Sequence, residues 1–383
     1  MGLIANGQGI LKKLAGIVGG ESQSSKFREK SPENNRHRLL KNIKNKAVIL
    51  NNGPCRVELS VTTHCNLDCI MCAGPQRTKT LDKSYDWFLE NLGDFIYTLE
   101  DVSIAGVGEP LLWKDFDYAV ADLTRRGISL RTVTNALLLH KHMDAFKTGN
   151  FRCVSVSIDG TKDLYEYIRK NGKWQRFEEN LRAFADVLQG RREKTILYFN
   201  VAVGTYNYAD IPNIVAFAQE VNVDFVVLNR VSIGRIVDED PKADLFHSGR
   251  YEDFKDMMIR LAVGSKVYVV CVFDPSLSIF PPSDEPLESK LEQPMPYQTI
   301  PVDGDSVQCI YPFTSIQYWS GDVCLPCCML TRPYDAREIT FASYWNGQYV
   351  QMLRQKSYKH TLIPGPCGKE ACPYARTFVK KYL

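Results

Sequence analysis

Short apolar runs alternate with segments of helical periodicity between residues 55 and 231. The runs with the length and β-branched content of strands are residues 55–61, 101–105, 129–134, 152–158, 195–203 and 224–231. Helical patterns occupy the intervals, near residues 84–99, 115–127, 138–148, 161–169, 174–189 and 209–221. Strands that alternate with helices in this way are typical of a parallel sheet with crossover helices. We therefore predict an α/β fold, a partial TIM-like barrel of six βα units.

Residues 1–50 differ from the rest of the chain in charge. They hold ten Lys and Arg against three Glu, whereas the whole chain has a net charge of only +3. The remaining residues are therefore slightly acidic, which argues against a nucleic acid as partner. We interpret residues 1–50 as a basic, flexible extension with a short amphipathic helix over 10–18. Such a helix can touch an anionic membrane, but a solvated extension is the commoner case, and we do not expect membrane contact.

The rest of the chain divides into three segments. The barrel would occupy residues 51–232, an insertion of unknown role residues 233–305, and a small cysteine-rich domain residues 306–383. Within the insertion we predict a helix near 249–263 and a strand over 266–273. No apolar run approaches the roughly 18 residues that cross a bilayer, and the sequence shows no secretory signal. We therefore expect a cytoplasmic protein whose twelve cysteines serve metal binding rather than disulfides.

Three cysteines stand close together directly after the first predicted strand. Cys65, Cys69 and Cys72 have the spacing C-x3-C-x2-C. Thiolates are the usual ligands of iron–sulfur clusters, and a cubane with four iron atoms normally takes four of them. Three would hold one cluster and leave one iron open to a small molecule. The alternative is a zinc site, but zinc favours paired C-x2-C units, and here the second pair is missing.

This spacing after a first barrel strand resembles the cluster loop of the radical S-adenosylmethionine (SAM) superfamily. In that family the open iron binds SAM, and one-electron reduction cleaves SAM to a 5′-deoxyadenosyl radical. The resemblance implies a 4Fe–4S cluster on Cys65, Cys69 and Cys72 and SAM as cofactor. It also implies an electron donor of the flavodoxin or ferredoxin type.

Motifs at later strand ends extend the resemblance. The second strand is followed by Gly106, Gly108, Glu109 and Pro110, similar to the G-x-G-E-P element that contacts the methionine part of SAM. Glu109 would accept a hydrogen bond from the SAM ammonium group. The third strand ends in Thr134-Asn135-Ala136, similar to a T-N-G element, but with Ala in place of Gly. That replacement is unexpected at a turn that needs a positive φ.

The next three strand ends complete the predicted site. Ser157 and Asp159 match the family's S-x-D-G element and would meet ribose hydroxyls or the methionyl end of SAM, although Ser and Asp also cap strand ends. The resemblance implies further cofactor contacts from Asn200, Val203 and Met71. At the end of the sixth strand we predict that Asn229 and Arg230 hold the substrate.

A second group of cysteines lies near the C-terminus. It consists of Cys309, Cys324, Cys327, Cys328, Cys367 and Cys372. Their arrangement resembles the SPASM or shortened twitch extension, whose cysteines bind an auxiliary cluster. We assign Cys309, Cys327, Cys367 and Cys372 to one auxiliary 4Fe–4S cluster, and leave open whether Cys324 or Cys328 replaces Cys327. A structural zinc is the alternative here, and we interpret Cys55, Cys153 and Cys271 as buried small hydrophobes.

The resemblance implies an enzyme that removes hydrogen from an unactivated C–H bond. In one branch it oxidises a sugar-like or other natural-product-like small molecule, and the auxiliary cluster accepts the second electron. In the other it cross-links, epimerises or matures a ribosomal peptide. Residues 1–54 are too short and too poor in β pattern for a peptide-binding winged-helix domain, which favours the small molecule. A two-cluster electron carrier is the non-enzymatic alternative, but it would leave the barrel without a purpose.

Overall fold

A computed structural model describes residues 31–72, 82–190, 195–231, 235–280, 307, 309–319, 323–327, 334–335, 340–359 and 361. The strands are β1 Arg56–Ser60, β2 Asp68–Cys69, β3 Asp101–Ala105, β4 Ser129–Thr134, β5 Phe151–Ser157, β6 Arg169–Lys170, β7 Ile196–Val203, β8 Phe225–Arg230, β9 Tyr268–Cys271, β10 Ser315–Trp319, β11 Val323–Leu325 and β12 Tyr334–Asp335. Ten of them form one sheet in the order β12-β11-β10-β1-β3-β4-β5-β7-β8-β9, and β2 pairs with β6. The strands from β10 to β9 are parallel, and β11 and β12 are antiparallel additions.

Helices follow most of the strands. The α-helices are α1 Pro32–Lys44, α2 Tyr85–Leu92, α3 Phe116–Arg125, α4 Met143–Thr148, α5 Lys162–Ile168, α6 Trp174–Gln189, α7 Ile211–Glu220, α8 Arg235–Glu239, α9 Leu245–Ser248, α10 Tyr251–Ala262, α11 Tyr311–Thr314, α12 Phe341–Trp345 and α13 Gln348–Tyr358. Short 3-10 turns include Gly93–Tyr97 and Pro110–Leu112. No helix in the described part of the chain is long and apolar enough to cross a membrane.

The predicted α/β class and the six predicted strands are confirmed, and the sheet is larger than six strands. The segment interpreted as an insertion supplies β9, which extends the sheet beyond β8. The C-terminal segment supplies β10, which pairs in parallel with β1 on the opposite side. The described parts of both segments therefore continue the barrel sheet instead of standing apart from it.

The outer face of the sheet is apolar and covered by helices. Tyr318 on β10 packs against Trp87 and Phe88 of α2, with ring centroids 5.2 and 5.4 Å apart. On β7, Phe199 stacks on Phe217 of α7 at 6.0 Å. Because side chains alternate along a strand, the residues between these apolar ones point to the inner face of the barrel.

The basic N-terminal segment is folded where the structure describes it, so the expectation of a flexible extension is wrong for residues 31–44. Helix α1 begins at the N-cap Ser31, whose hydroxyl accepts a hydrogen bond from the Asn34 N–H group. Leu39 is fully buried, and the buried Asn35 side chain exchanges two hydrogen bonds with the backbone of Gly53. The amphipathic pattern over residues 10–18 lies outside the described residues.

Arg354 joins this N-terminal segment to the C-terminal helices. Its guanidinium group is buried and donates to the carbonyl oxygens of Val48, Pro312 and Trp345 at 2.9, 2.8 and 2.7 Å. Trp345 in turn donates from Nε1 to the Asn52 carbonyl oxygen at 2.7 Å. A buried guanidinium group needs such acceptors, because it is costly to bury an unsatisfied cation. The two ends of the described chain are thereby held on the same side of the sheet, beside β10 and β1.

Candidate active site

The cysteine loop follows β1 and is fixed along its length to the segment after β5. The ribbon strand β2 pairs with β6, so that Cys69 lies opposite Arg169. The Ile70 N–H group donates to the Ile168 carbonyl oxygen at 2.9 Å. Within the loop, the Cys72 N–H group donates to the Cys69 carbonyl oxygen at 3.2 Å. These backbone bonds hold the loop in place through the main chain.

The three thiols of the loop are free and differ in burial. Cys69 is buried, Cys65 and Cys72 are half-buried, and none of them forms a disulfide. Burial raises the pKa of the Cys69 thiol to about 11, and the nearby Arg169 guanidinium opposes that shift. Cysteine thiolates are the usual protein ligands of a 4Fe–4S cluster, so this donor set has the chemistry that such a cluster needs.

Gly106 and Gly108 allow the second strand end to lie directly against the cysteine loop. Gly106 has a φ of +128°, and a Cβ atom there would come within 2.2 Å of Ser60 Oγ. A Cβ atom at Gly108 would meet the carbonyl oxygens of Thr62 and His64 at 2.5 Å. The Glu109 N–H group donates to the same His64 oxygen at 2.8 Å. The glycines were expected to admit the cofactor, and in the structure they admit the backbone of the neighbouring loop.

Glu109 is buried, and its carboxylate is bonded to the protein. It accepts hydrogen bonds from the Thr134 hydroxyl at 2.6 Å, the Asn135 N–H group at 2.8 Å and the Leu111 N–H group at 3.2 Å. Burial raises the pKa of Glu109, and these three donors oppose the shift. The expected role of Glu109, to accept from the SAM ammonium group, differs from this arrangement. Its carboxylate instead joins the end of β4 to the turn that begins at Pro110.

Asn135 and Ala136 form the turn after β4. The Asn135 side chain donates to Asn66 Oδ1 at 2.8 Å, which links this turn to the cysteine loop. Ala136 is fully buried and has a φ of +65°. The turn therefore keeps the left-handed conformation that Gly would favour, even though an Ala occupies the position. The surrounding hydrogen bonds stabilise this strained conformation. One of them runs from the Ala136 N–H group to the Thr134 hydroxyl.

Asp159 is paired with an arginine that the sequence interpretation missed. Its Oδ2 atom lies 2.5 Å from the guanidinium group of Arg169, and its Oδ1 atom accepts from the Ala202 N–H group at 2.7 Å. Both side chains are buried. Asp159 thus forms a buried ion pair, whereas Ser157 is half-buried at the strand end, and the expected contacts of both with SAM stay predictions. One sequence feature could have indicated this ion pair. A single Arg directly follows the short helix that comes after the S-x-D-G element.

The remaining predicted site residues are largely bonded to each other or buried. Asn229 donates to Asn200 Oδ1 at 2.5 Å, and Val203 is fully buried in the core. Arg230 donates from Nε and Nη2 to Asp244 Oδ2 at 2.9 and 2.6 Å, and its guanidinium group lies 4.2 Å from the ring centre of Phe246. Arg230 therefore already has an anionic partner, and its role in holding substrate stays a prediction. Met71 is half-buried and packs on the core beside the cysteine loop.

Only part of the second cysteine group falls within the described residues. Cys309 is half-buried and Cys327 is buried, whereas Cys328, Cys367 and Cys372 lie outside the described residues. Cys324 is buried in the core on β11, opposite Tyr318. The auxiliary cluster and its ligand set stay predictions.

The inner face of the barrel carries a charged network that the sequence interpretation did not identify. Arg131 on β4 donates from Nε to both oxygens of Asp101 on β3, at 2.9 and 3.1 Å. Arg56 on β1 donates to Glu58 Oε2 at 3.2 Å and lies 3.4 Å from Asp101. Cys153 shares this face next to Arg131, so it is not simply a small core hydrophobe, unlike the buried Cys55 and Cys271. Charged residues at every second position of a parallel strand could have indicated this network. Parallel strands are usually continuous apolar runs, so such charges are unusual.

Residues 59–218 match the family model of the Radical SAM superfamily. A GTP 3′,8-cyclase from Peptoclostridium acidaminophilum is 29% identical over 198 residues, which cover 48% of this chain and 59% of the cyclase. The chain therefore spans about three fifths of the length of this curated relative.

Two solved structures have a similar fold. Streptococcus suis SuiB bound to the precursor peptide SuiA gives a TM-score of 0.57 at 17% identity, over 83% of this chain and 70% of SuiB. Native anSMEcpe with bound AdoMet and Cp18Cys peptide gives 0.52 at 15% identity, over 85% of this chain and 86% of that protein. Both likenesses show a shared fold. Residues 59–218 are a radical SAM domain.

Proposed function

We propose that this protein is a radical SAM oxidoreductase that acts on a small polar molecule. The observation that carries the proposal is the cysteine loop, held by backbone hydrogen bonds at the end of β1 and packed against the Gly106–Glu109 element. Cys65, Cys69 and Cys72 would ligate a 4Fe–4S cluster, the cofactor of the family together with SAM. Once bound and reduced by a flavodoxin- or ferredoxin-type donor, this pair of cofactors supplies a radical that removes hydrogen from a C–H bond.

The chain's own residues would position the reaction. The bonds from Glu109 and Asn135 fix the strand ends around the cysteine loop, and the Asp159–Arg169 pair fixes it from the other side. The inner face offers the partly exposed Arg56, Glu58 and Arg131 to a substrate, and the buried Asp101 holds the two arginines in place. A polar interior of this kind suits a hydroxyl- or amine-bearing small molecule, which can replace the water that such groups would otherwise bind. The likeness to a GTP 3′,8-cyclase over about half of this chain agrees with a small-molecule substrate.

We further propose that Cys309, Cys327, Cys367 and Cys372 hold an auxiliary 4Fe–4S cluster that accepts the second electron of a net oxidation. Cys309 is held near the sheet by a pair of hydrogen bonds with Ser357 of α13, at 2.9 and 3.0 Å. The proposal is supported by this anchor, because Cys309 precedes β10 in the chain and β10 pairs with β1.

Modification of a ribosomal peptide is the second candidate. It is favoured by the similarity of the fold to SuiB and anSMEcpe, which were solved with peptides bound. Because identity to both is below one fifth, the likeness supports a shared architecture more than a shared substrate.

One experiment separates the two candidates. The reconstituted protein is incubated without oxygen with SAM, a reductant and cell extract divided by ultrafiltration into small-molecule and macromolecular fractions. We expect a new product, two hydrogen atoms lighter than its precursor, in the small-molecule fraction by mass spectrometry. A product only in the peptide fraction would favour the second candidate, and SAM consumption in neither fraction would contradict both. A Cys367→Ala/Cys372→Ala variant that still cleaves SAM but forms no oxidised product would support the auxiliary electron acceptor.

A further inference from the structure

Gln317 on β10 has an acceptor atom without a protein partner. The residue is only 5% exposed, and its Oε1 atom is buried with no hydrogen-bond partner among the described residues. Buried polar atoms are almost always paired, because an unpaired one costs about 1–3 kcal/mol. An unpaired acceptor at this depth indicates that a donor outside the described chain completes it.

Gln317 faces the barrel interior beside Glu58. Its neighbour Tyr318 packs outward on α2, so Gln317 must point inward. Gln317 is the register partner of Glu58 on β1, and neighbouring strands lie about 4.8 Å apart. The amide and the carboxylate therefore project side by side from adjacent strands into the same space.

The Glu58 carboxylate can accept more hydrogen bonds than the one that Arg56 donates to it. Arg56 donates one hydrogen bond to its Oε2 atom, whereas a carboxylate can accept about four. The Glu58 side chain is 19% exposed. Ser60, two residues further along β1 on the same face, has a buried hydroxyl oxygen without a partner among the described residues. Three acceptors thus line the inner edge of β10 and β1.

The charges around these acceptors select the kind of ligand. Arg56 and Arg131 are both engaged by Asp101, and Arg56 also by Glu58, so two cations are matched by two anions. The Glu58, Gln317 and Ser60 oxygens named above are acceptors, which attract a donor and repel an anion. A primary ammonium group carries three N–H donors and a positive charge, which suits a carboxylate with two neutral acceptors.

We propose that Glu58, Gln317 and Ser60 form a subsite for a primary ammonium group of the substrate. This inference rests on the proposed function, because it names the substrate class of the same barrel. The subsite lies on the inner face of β1 and β10, where the N-terminal and C-terminal segments of the sheet meet. It would therefore orient an amine-bearing molecule from the side of the barrel on which Cys309 is anchored.

The test uses cluster-loaded protein saturated with SAM and kept free of reductant. Propylammonium chloride, propan-1-ol and sodium propionate are compared as probes at equal concentrations by saturation-transfer NMR titration. We expect propylammonium to bind and propionate not to bind, with propan-1-ol at least about tenfold weaker than the amine, since hydrogen bonds to charged groups are about twice as strong as neutral ones. Glu58→Gln and Gln317→Met should each weaken amine binding about tenfold. Glu90→Gln removes one carboxylate from the exposed surface of α2 and should change nothing.

The outcomes separate the subsite from the proposed function. Equal binding of amine and alcohol, or unchanged amine binding in both folded variants, would overturn the subsite. Displacement of the amine by increasing SAM would assign these acceptors to the cofactor and overturn it as well. The wild-type selectivity needs no variant, so the test stands even if a variant does not fold. SAM cleavage is measured in the same samples after reduction, and its absence beside a selective amine site would contradict the proposed function alone.

Discussion

Glu109 at the strand ends and Glu58 inside the barrel are both glutamates in polar, enclosed surroundings, but their oxygens have different partners. The Glu109 carboxylate accepts from three protein donors, and Asp159 forms an ion pair with Arg169 and accepts from the Ala202 N–H group. The Glu58 carboxylate has one partner and faces the interior. We call Glu109, Asn135, Asp159 and Arg169 the strand-end frame.

The comparison teaches that motif residues can hold the strand ends and loops of a site together through bonds to the protein. The strand-end frame holds loops in position, whereas the inner face keeps hydrogen-bond acceptors that can bind a ligand. Substitutions in the frame should therefore lower stability, and substitutions on the inner face should change binding with little effect on stability.

The largest effect is expected for Arg169→Met. The change leaves the Asp159 carboxylate buried without its cation, which costs about 3–5 kcal/mol of the free energy of unfolding. Urea unfolding followed by circular dichroism measures the loss. Adding Asp159→Asn removes the unpaired charge and should restore part of the stability. A loss below about 1 kcal/mol in the single variant would show that the pair does not carry the frame.

Glu109→Ala should follow, with a loss of about 3 kcal/mol, because three buried donors lose their acceptor. Glu109→Gln is the matched control. It keeps the shape and one acceptor oxygen, so we expect a loss of about 1 kcal/mol in the same unfolding assay. Equal stability of the wild type and the Ala variant would mean that the three hydrogen bonds to Glu109 are not needed for the frame.

Ala136→Gly should have a smaller effect of opposite sign. It relieves a left-handed Ala, worth about 1–2 kcal/mol, and loses a buried methyl group and some backbone order, for a net gain of about 0.5 kcal/mol. Ala119→Gly in α3 is the control, since Ala119 is equally buried but helical. That control should lose about 1–2 kcal/mol. The same sign for both variants in thermal unfolding would contradict the strain at Ala136.

The smallest effect on stability is expected for Glu58→Gln. Its ion pair with Arg56 is reachable by water, and the amide keeps an oxygen for the Arg56 donor, so the free energy of unfolding should change by less than about 0.5 kcal/mol. Urea unfolding of Glu58→Gln and Arg169→Met in the same assay compares their losses of unfolding free energy directly. A loss as large as that of the frame variant would place Glu58 among the structural residues.

The sequence pattern predicted the outer face well and the inner face poorly. The six strands appeared within about one residue of their observed bounds, because apolar side chains such as Val57 and Leu59 recur at every second position. Helix α1 was missed because its buried face includes Asn35 and Asn42, which break an apolar stripe. The cysteine loop was recognised from its spacing alone, which requires no tertiary information.

The partners of the site residues could not be predicted, because they depend on long-range contacts. Gln317 and Glu58 are far apart in sequence and meet only through the pairing of β10 with β1. Asp244, which engages Arg230, lies beyond the last predicted barrel strand. A motif indicates which side chains gather at a strand end, but the hydrogen bonds that satisfy each one depend on the complete fold.

The central claim is that Cys65, Cys69 and Cys72 hold the cluster at which SAM is cleaved. The most direct measurement is iron content together with 5′-deoxyadenosine formation in a Cys65→Ala/Cys69→Ala/Cys72→Ala variant, with Cys271→Ala as a buried-thiol control. We expect the triple variant to lose about four iron atoms and all 5′-deoxyadenosine, because a cubane needs these thiolates. The control should keep both. Full iron content, or continued 5′-deoxyadenosine formation in the folded triple variant, would contradict the account.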